Sequence, residues 1–183
     1  MDVYTLVKLL HVLSVILWVG GGFVFVVLGV FASTRSDPAE IIAVCKNVAL
    51  LSTRFFIPMA LLTVIFGLIT AFVGGLYGTL WVWIGLAGFV ATFLTGALIL
   101  GPNSEKLVAA DKAGESAKAL ALAQFVLKTA KFDYVVLLLV ISDMVLKPGF
   151  GDVTLLAIGA VVLIAGAILF LGDLVRRPAA ATS

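Results

Sequence analysis

Apolar residues run along this chain in five blocks, at about 3–32, 54–75, 79–101, 128–147 and 152–174, with few charges inside any of them. A helix of about 20 apolar residues spans the hydrocarbon core of a bilayer, and a helix satisfies its own backbone polar groups there. The pattern therefore predicts an all-α, polytopic transmembrane helix bundle forming a single integral membrane domain over residues 1–183. Between the first two blocks, Asp37-Pro38-Ala39-Glu40 supplies a capping residue, a proline for the first helical position and an acid in the first turn. A surface helix over about 37–53 is expected to start there and to run into the second span, bending near Pro58. The polar stretch 103–127 is rich in lysine and alanine and predicts a solvated helical hairpin broken near Gly114. Its second arm continues into the fourth span, and Lys147-Pro148-Gly149 is the stop signal.

Composition agrees with the pattern. Hydrophobic residues make up 63% of the chain, charged residues 12%, and the mean hydropathy is +1.26. A net charge of +2, with the basic residues set beside the apolar blocks, gives no reason to expect nucleic acid as a partner. The lipid bilayer is the expected environment. The first block is too long for the core of a cleaved leader, about 7 to 15 residues, and reads as a retained span. Ten of the twelve Lys and Arg fall after the first span, before the fourth and after the fifth. By the positive-inside rule those three regions are cytoplasmic, so five crossings place the N-terminus outside and the C-terminus, with Arg176 and Arg177, inside. Lys8 and Lys147 remain on the outer side. The lone cysteine, Cys45, reads as a packing residue.

The polar residues inside the apolar blocks are the candidate chemistry. Tyr4, Lys8, His11, Trp18, Gly22 and Phe25 share one stripe of the first helix, with Ser14 at its margin. Ionisable residues in a span point into the bundle and tend to mark a site, and His11 is the chain's only histidine. It is expected about 10 Å below the outer surface. Gly20-Gly21-Gly22 clears side chains from the helix below it, either for a flat ligand or for a close-packed neighbouring helix. On the fourth span Asp143 and Lys147 are spaced for an i,i+4 pair, with Ser142 and Met144 beside the acid. The two helices are expected to bring His11, Lys8, Asp143, Met144 and Lys147 to one outer-leaflet cavity. Simpler roles stand beside this one: His11 hydrogen-bonded to a neighbouring helix, the lysines reaching the interface, Asp143 paired with Lys147, and Met59 and Met144 filling gaps. Small residues at Thr63, Gly67, Thr70 and Gly74, at Gly88, Thr92 and Gly96, and at Gly159 and Gly166 mark close helix contacts.

One histidine and one cysteine cannot build a conventional zinc site or copper cluster, and neither a phosphate-cradling loop nor a serine elbow is present. A single imidazole in an apolar slot can ligate haem iron from one side, with the opposite position open or filled by Met144, Met59 or the His11 of another chain.

"KLLHVLSVILWVGGGF" near the start and "ISDMVLKPG" around Lys147 resemble an uncharacterised family of bacterial integral membrane proteins with a Lys-x-x-His and Trp-x-Gly-Gly first helix and a closing Asp-Met-x-x-Lys-Pro motif. The likeness covers about residues 3–149, with "LWVWIGLAGF" and "LGPNSEKL" in character. It implies a bacterial inner-membrane protein with a four-helix core, to which the C-terminal fifth transmembrane helix is an addition. More distantly, His11 with Trp18 and Gly20 is similar to the first helix of HemJ-type protoporphyrinogen oxidases and CopD-like copper-resistance membrane proteins. That similarity implies haem b on His11 as axial and metal ligand, with Lys147 or Lys8 as basic partner. The resulting expectation is a redox step on a hydrophobic substrate such as a porphyrinogen, with Trp18, Gly21, Gly22 and Met144 around the cofactor and Lys8, Asp143 and Lys147 as catalytic groups. The rival expectations are a non-catalytic subunit of a larger membrane complex or a homo-oligomer, and a carrier of copper or a small solute.

Overall fold

The structure is a computed structural model and describes residues 2–35 and 37–176. Arg177, one of the two basic residues that place the C-terminus, lies outside the described residues. The fold is an all-α membrane bundle of seven helices among the described residues: α1 (Val3–Thr34), α2 (Pro38–Leu51), α3 (Ile57–Val73), α4 (Leu80–Leu94), α5 (Gly101–Lys112), α6 (Ser116–Leu146) and α7 (Val153–Arg176). Local chemistry sets several of their ends. The Asp37 carboxylate accepts from the Ala39 N–H at 2.9 Å with Pro38 at the first position of α2, while Gly114 turns the chain between α5 and α6 at φ +74°. Asp2 caps α1 by accepting from the Thr5 N–H at 2.7 Å.

That bond holds the Asp2 carboxyl below its ordinary range, because the N–H donates to the ionised form. A depressed folded pKa means that the cap is intact at neutral pH and is lost as pH falls through the lowered value. Asp2→Ala is expected to speed amide exchange in the first turn of α1 at neutral pH. At a pH below the carboxyl's range, wild type and variant should exchange alike.

α2 runs into α3, as expected. They are joined without a break by a π-helical segment, Ser52–Phe56, in which the Ile57 N–H reaches back five residues to the Ser52 carbonyl. α4 and α5 are joined in the same way by Thr95–Leu100, where the Gly101 N–H reaches the Gly96 carbonyl. Each π-helical segment is followed, two residues past its end, by a proline, Pro58 or Pro102. Proline has no N–H to offer and its ring crowds the carbonyl four residues back, so the preceding turn widens. The polar hairpin expected at 103–127 is accordingly the far end of two long helices.

Four helical stretches are long and apolar enough to cross a membrane: Val3–Thr34, Pro38–Val73, Leu80–Lys112 and Val153–Gly172. α6, expected as the fourth crossing, is not among them, because its apolar half carries Lys131, Asp133 and Asp143. Its position explains how those charges are tolerated. α1, α2, α4, α5 and α7 all pack against α6, so it faces protein where the other helices face outward.

Glycines and the side chains opposite them define the helix contacts. On the α1–α3 seam His11 lies against Gly67 and Tyr4 against Gly74; on α4–α6, Met144 lies against Gly85 and Val140 against Gly88. α1 meets α6 where Tyr134 covers Gly22 and Leu127 covers Gly29, and α7 meets α6 where Val135 covers Gly166. These include the small-residue positions read from the sequence at Gly67, Gly74, Gly88 and Gly166, whereas a β-carbon added at Gly159 would meet nothing within 4 Å. Large apolar side chains such as Ile16, Phe72 and Val161 point out of the bundle. At the end bearing most of the lysines, Leu107, Ala110, Ala119, Ala123, Ile41, Ile42 and Cys45 form a buried apolar cluster. There Lys46 and Asp111 pair at 2.5 Å and tie α2 to α5, and the Cys45 thiol lies 3.6 Å from the Ala123 carbonyl it donates to.

Candidate functional site

Apart from the exposed Lys8, the stripe on α1 turns inward, as its periodicity implies. His11 Nδ1 lies 2.8 Å from the Thr63 carbonyl of α3, and a carbonyl only accepts, so Nδ1 carries the proton and Nε2 keeps its lone pair. Thr63 is itself held by its hydroxyl, which donates to the Met59 carbonyl at 2.8 Å. The imidazole is seated on Gly67, where an added β-carbon would come within 2.9 Å of Cε1. His11 therefore has the interhelical hydrogen bond that was one of its two expected roles.

The rest of the outer constellation does not assemble as expected. Asp143 and Lys147 form no pair, because Lys147 is the left-handed C-cap of α6, at φ 51°, and its ammonium lies 5.5 Å from the centre of the Trp81 ring. Asp143 is only 7% exposed, and both carboxylate oxygens lack a hydrogen-bond partner among the described residues. Lys8 is exposed, 5.0 Å from the centre of the Tyr4 ring. Met144 is wedged against Gly85 of α4. Two of the three glycines in the run are covered by side chains: a β-carbon on Gly21 would meet Phe55 at 2.9 Å and one on Gly22 would meet the Tyr134 hydroxyl at 2.6 Å, whereas one on Gly20 would meet nothing within 4 Å.

A cavity of about 390 Å³ lies deeper, lined by α1, α2, α5, α6 and the two π-helical segments, with Ile57 and Ala60 of α3 and Thr92 and Phe93 of α4 on its wall. Trp18 and Gly22, both singled out in the sequence, are on its wall; His11, Lys8, Gly21, Asp143, Met144 and Lys147 are not. Much of the wall is aromatic, from Trp18, Phe25, Phe56, Phe93 and Tyr134. Trp18 meets Phe89 edge-on at 5.6 Å, and Phe25 meets Phe56 edge-on at 6.1 Å. The Tyr134 hydroxyl donates to the Val19 carbonyl, which closes α6 onto α1 beside the cavity. Both π-helical segments contribute, through Ser52, Thr53 and Phe56 on one side and Gly96, Ala97 and Leu100 on the other. Such segments interrupt regular helix bonding and are frequent at functional sites. Among the described residues the wall carries two carboxyl groups, Asp133 and Glu105, and no Lys, Arg or His.

Sequence reading passed over Asp133, Tyr134 and Glu105. The signal for Asp133 was present, since it is an ionisable residue in an apolar block and falls under the argument applied to His11. No group of three or more His, Cys, Asp or Glu placed to hold a metal ion occurs among the described residues.

Fold and cavity together define a polytopic helical membrane protein with an aromatic, acid-bearing chamber inside the bundle. Residues 5–148 match the family described as predicted integral membrane protein (DUF2269), and the chain belongs to that family. No curated protein and no solved structure matches the chain. α7 lies beyond the matched residues.

Proposed function

We propose that this is a bacterial inner-membrane protein that receives a small hydrophobic molecule in the chamber lined by α1 to α6. One observation carries the reading: a cavity of about 390 Å³ with a mainly apolar, aromatic wall, bordered by both irregular helical segments. Sites for small apolar ligands have this form, with few polar groups placed among hydrophobic walls. In the topology that supports it, α6 is the fourth of five crossings, shielded by its neighbours, and the basic ends of α2, α5 and α6 face the cytoplasm. The chamber then opens toward the inner leaflet.

Gly96 provides the test. It lines the chamber, and a β-carbon added there meets nothing within 4 Å, so a larger side chain extends into open space. N-phenyl-1-naphthylamine is expected to bind the purified protein saturably, with energy transfer from Trp18. Gly96→Leu should abolish that binding while leaving the melting temperature unchanged or higher. Equal binding by the two proteins would remove the chamber as the site.

A second reading keeps haem b on His11, with a redox step on a hydrophobic substrate such as a porphyrinogen. The Nδ1–H bond to Thr63 favours it, because a ligating histidine commonly fixes its other nitrogen on a carbonyl and so presents a lone pair to the metal. Bound haem would supply one-electron chemistry, and His11 Nε2 would hold it on one side. A Soret band in the purified protein that disappears in His11→Ala is the expected result of this reading. A colourless protein after supplementation with haem would eliminate it.

A further inference from the structure

One group on the chamber wall differs from its apolar surroundings. Asp133 lies in the apolar half of α6, half-buried on that wall, and takes part in no ion pair or hydrogen bond with another described side chain. Lys131, two residues earlier, projects about 200° round the helix, and Lys46 is committed to Asp111 at 2.5 Å. Glu105 adds a second, exposed carboxyl at the chamber's α5 edge. On the wall the Tyr134 hydroxyl donates to the Val19 carbonyl and the Thr92 hydroxyl to the Phe89 carbonyl at 3.0 Å, while the Ser52, Thr53 and Ser104 hydroxyls and the Trp18 indole N–H make no such bond to another described residue.

Such a chamber presents a carboxyl group and π faces to an occupant, with neutral hydroxyl and indole groups beside them. A buried carboxylate without a partner is costly, and an opposite charge brought to it removes much of that cost. Aromatic rings add to the attraction for a cation through their negative faces. An anionic occupant meets the opposite of both, and a neutral one leaves the carboxyl as it was.

We propose that the chamber is selective for a lipophilic cation, an apolar body carrying one ammonium group, with Asp133 as its counter-charge and the aromatic wall around its body. This inference rests on the reading that the chamber holds a small hydrophobic molecule, and it adds the charge of that molecule.

Benzyltrimethylammonium and its neutral carbon isostere neopentylbenzene differ only in that charge. Binding is read from Trp18 fluorescence in a Trp81→Phe/Trp83→Phe protein in phosphatidylcholine nanodiscs, after correction for partition into the lipid. The cation is expected to bind more tightly than the isostere. Asp133→Asn should weaken the cation by about tenfold, as for loss of one close counter-charge in a partly dry site, and leave the isostere unchanged. Asp133→Glu should retain the preference, which separates the role of the charge from damage to the fold. Equal binding of the two probes, indifferent to Asp133→Asn, would overturn the charge selectivity while leaving the chamber as a ligand site. No response of Trp18 to either probe would overturn both.

Discussion

Asp143→Leu is expected to make the protein more stable than the wild type. The Asp143 side chain is 7% exposed, neither of its oxygens has a hydrogen-bond partner among the described residues, and the lysine one turn later is directed onto Trp81. A buried polar group without a partner costs about 1–3 kcal/mol, and replacing buried charge by a hydrophobic residue of similar size is often stabilising by a comparable amount. Asp143→Asn keeps an unsatisfied polar group and should gain less. Reversible unfolding in bicelles is expected to rank Leu above Asn and Asn above the wild type. A Leu variant less stable than the wild type would mean that the carboxyl has a partner in the membrane that these helices do not supply. If the ranking holds, the acid has been retained at the expense of stability, as residues serving function commonly are.

The second large effect is expected at Gly22. A β-carbon there would lie 2.6 Å from the Tyr134 hydroxyl, which is held by its bond to the Val19 carbonyl. Gly22→Ala must displace a tethered phenol and should destabilise the bundle by about 1–3 kcal/mol, the usual range for overpacking. Gly85→Ala is the informative comparison. It faces the terminal methyl of Met144, the end of a flexible side chain that can turn away, so the loss should be smaller although the approach is closer. Combining Gly22→Ala with Tyr134→Phe should cost less than the sum of the two single changes, because the hydroxyl that clashes is gone. Additive losses in that cycle would show that the alanine disturbs something other than the tyrosine.

The bundle was legible in the sequence because the bilayer admits so few backbone solutions: apolar blocks of span length must be helical, and small residues at spacings of three and four mark their seams. The inward turn of His11 followed from the same periodicity. The continuity of α2 with α3 was legible, whereas that of α4 with α5 was harder to read, because a proline at the end of an apolar run reads as a boundary. Pro58 was noticed and Pro102 was not, although both follow a widened turn at the same offset. The site was less legible than the fold. An i,i+4 spacing brings Asp143 and Lys147 within reach on a regular helix, but Lys147 falls on the residue where α6 ends, and its left-handed backbone sends the side chain elsewhere. Likewise, three successive glycines show that something approaches α1 closely. They do not distinguish a flat cofactor from Phe55 and Tyr134, which hold the contacts at Gly21 and Gly22.

α7 packs on α6 through Gly166 and Val135, and none of its described side chains reaches the chamber wall. The chain thus separates into a chamber-bearing body, which coincides with the stretch matched by the family, and an outrigger on its flank. Related chains that stop near residue 149 would keep every wall of the chamber and expose one stripe of α6 to lipid. Variation in the last helix is therefore free to serve anchoring or neighbours in the membrane without altering what the interior accepts.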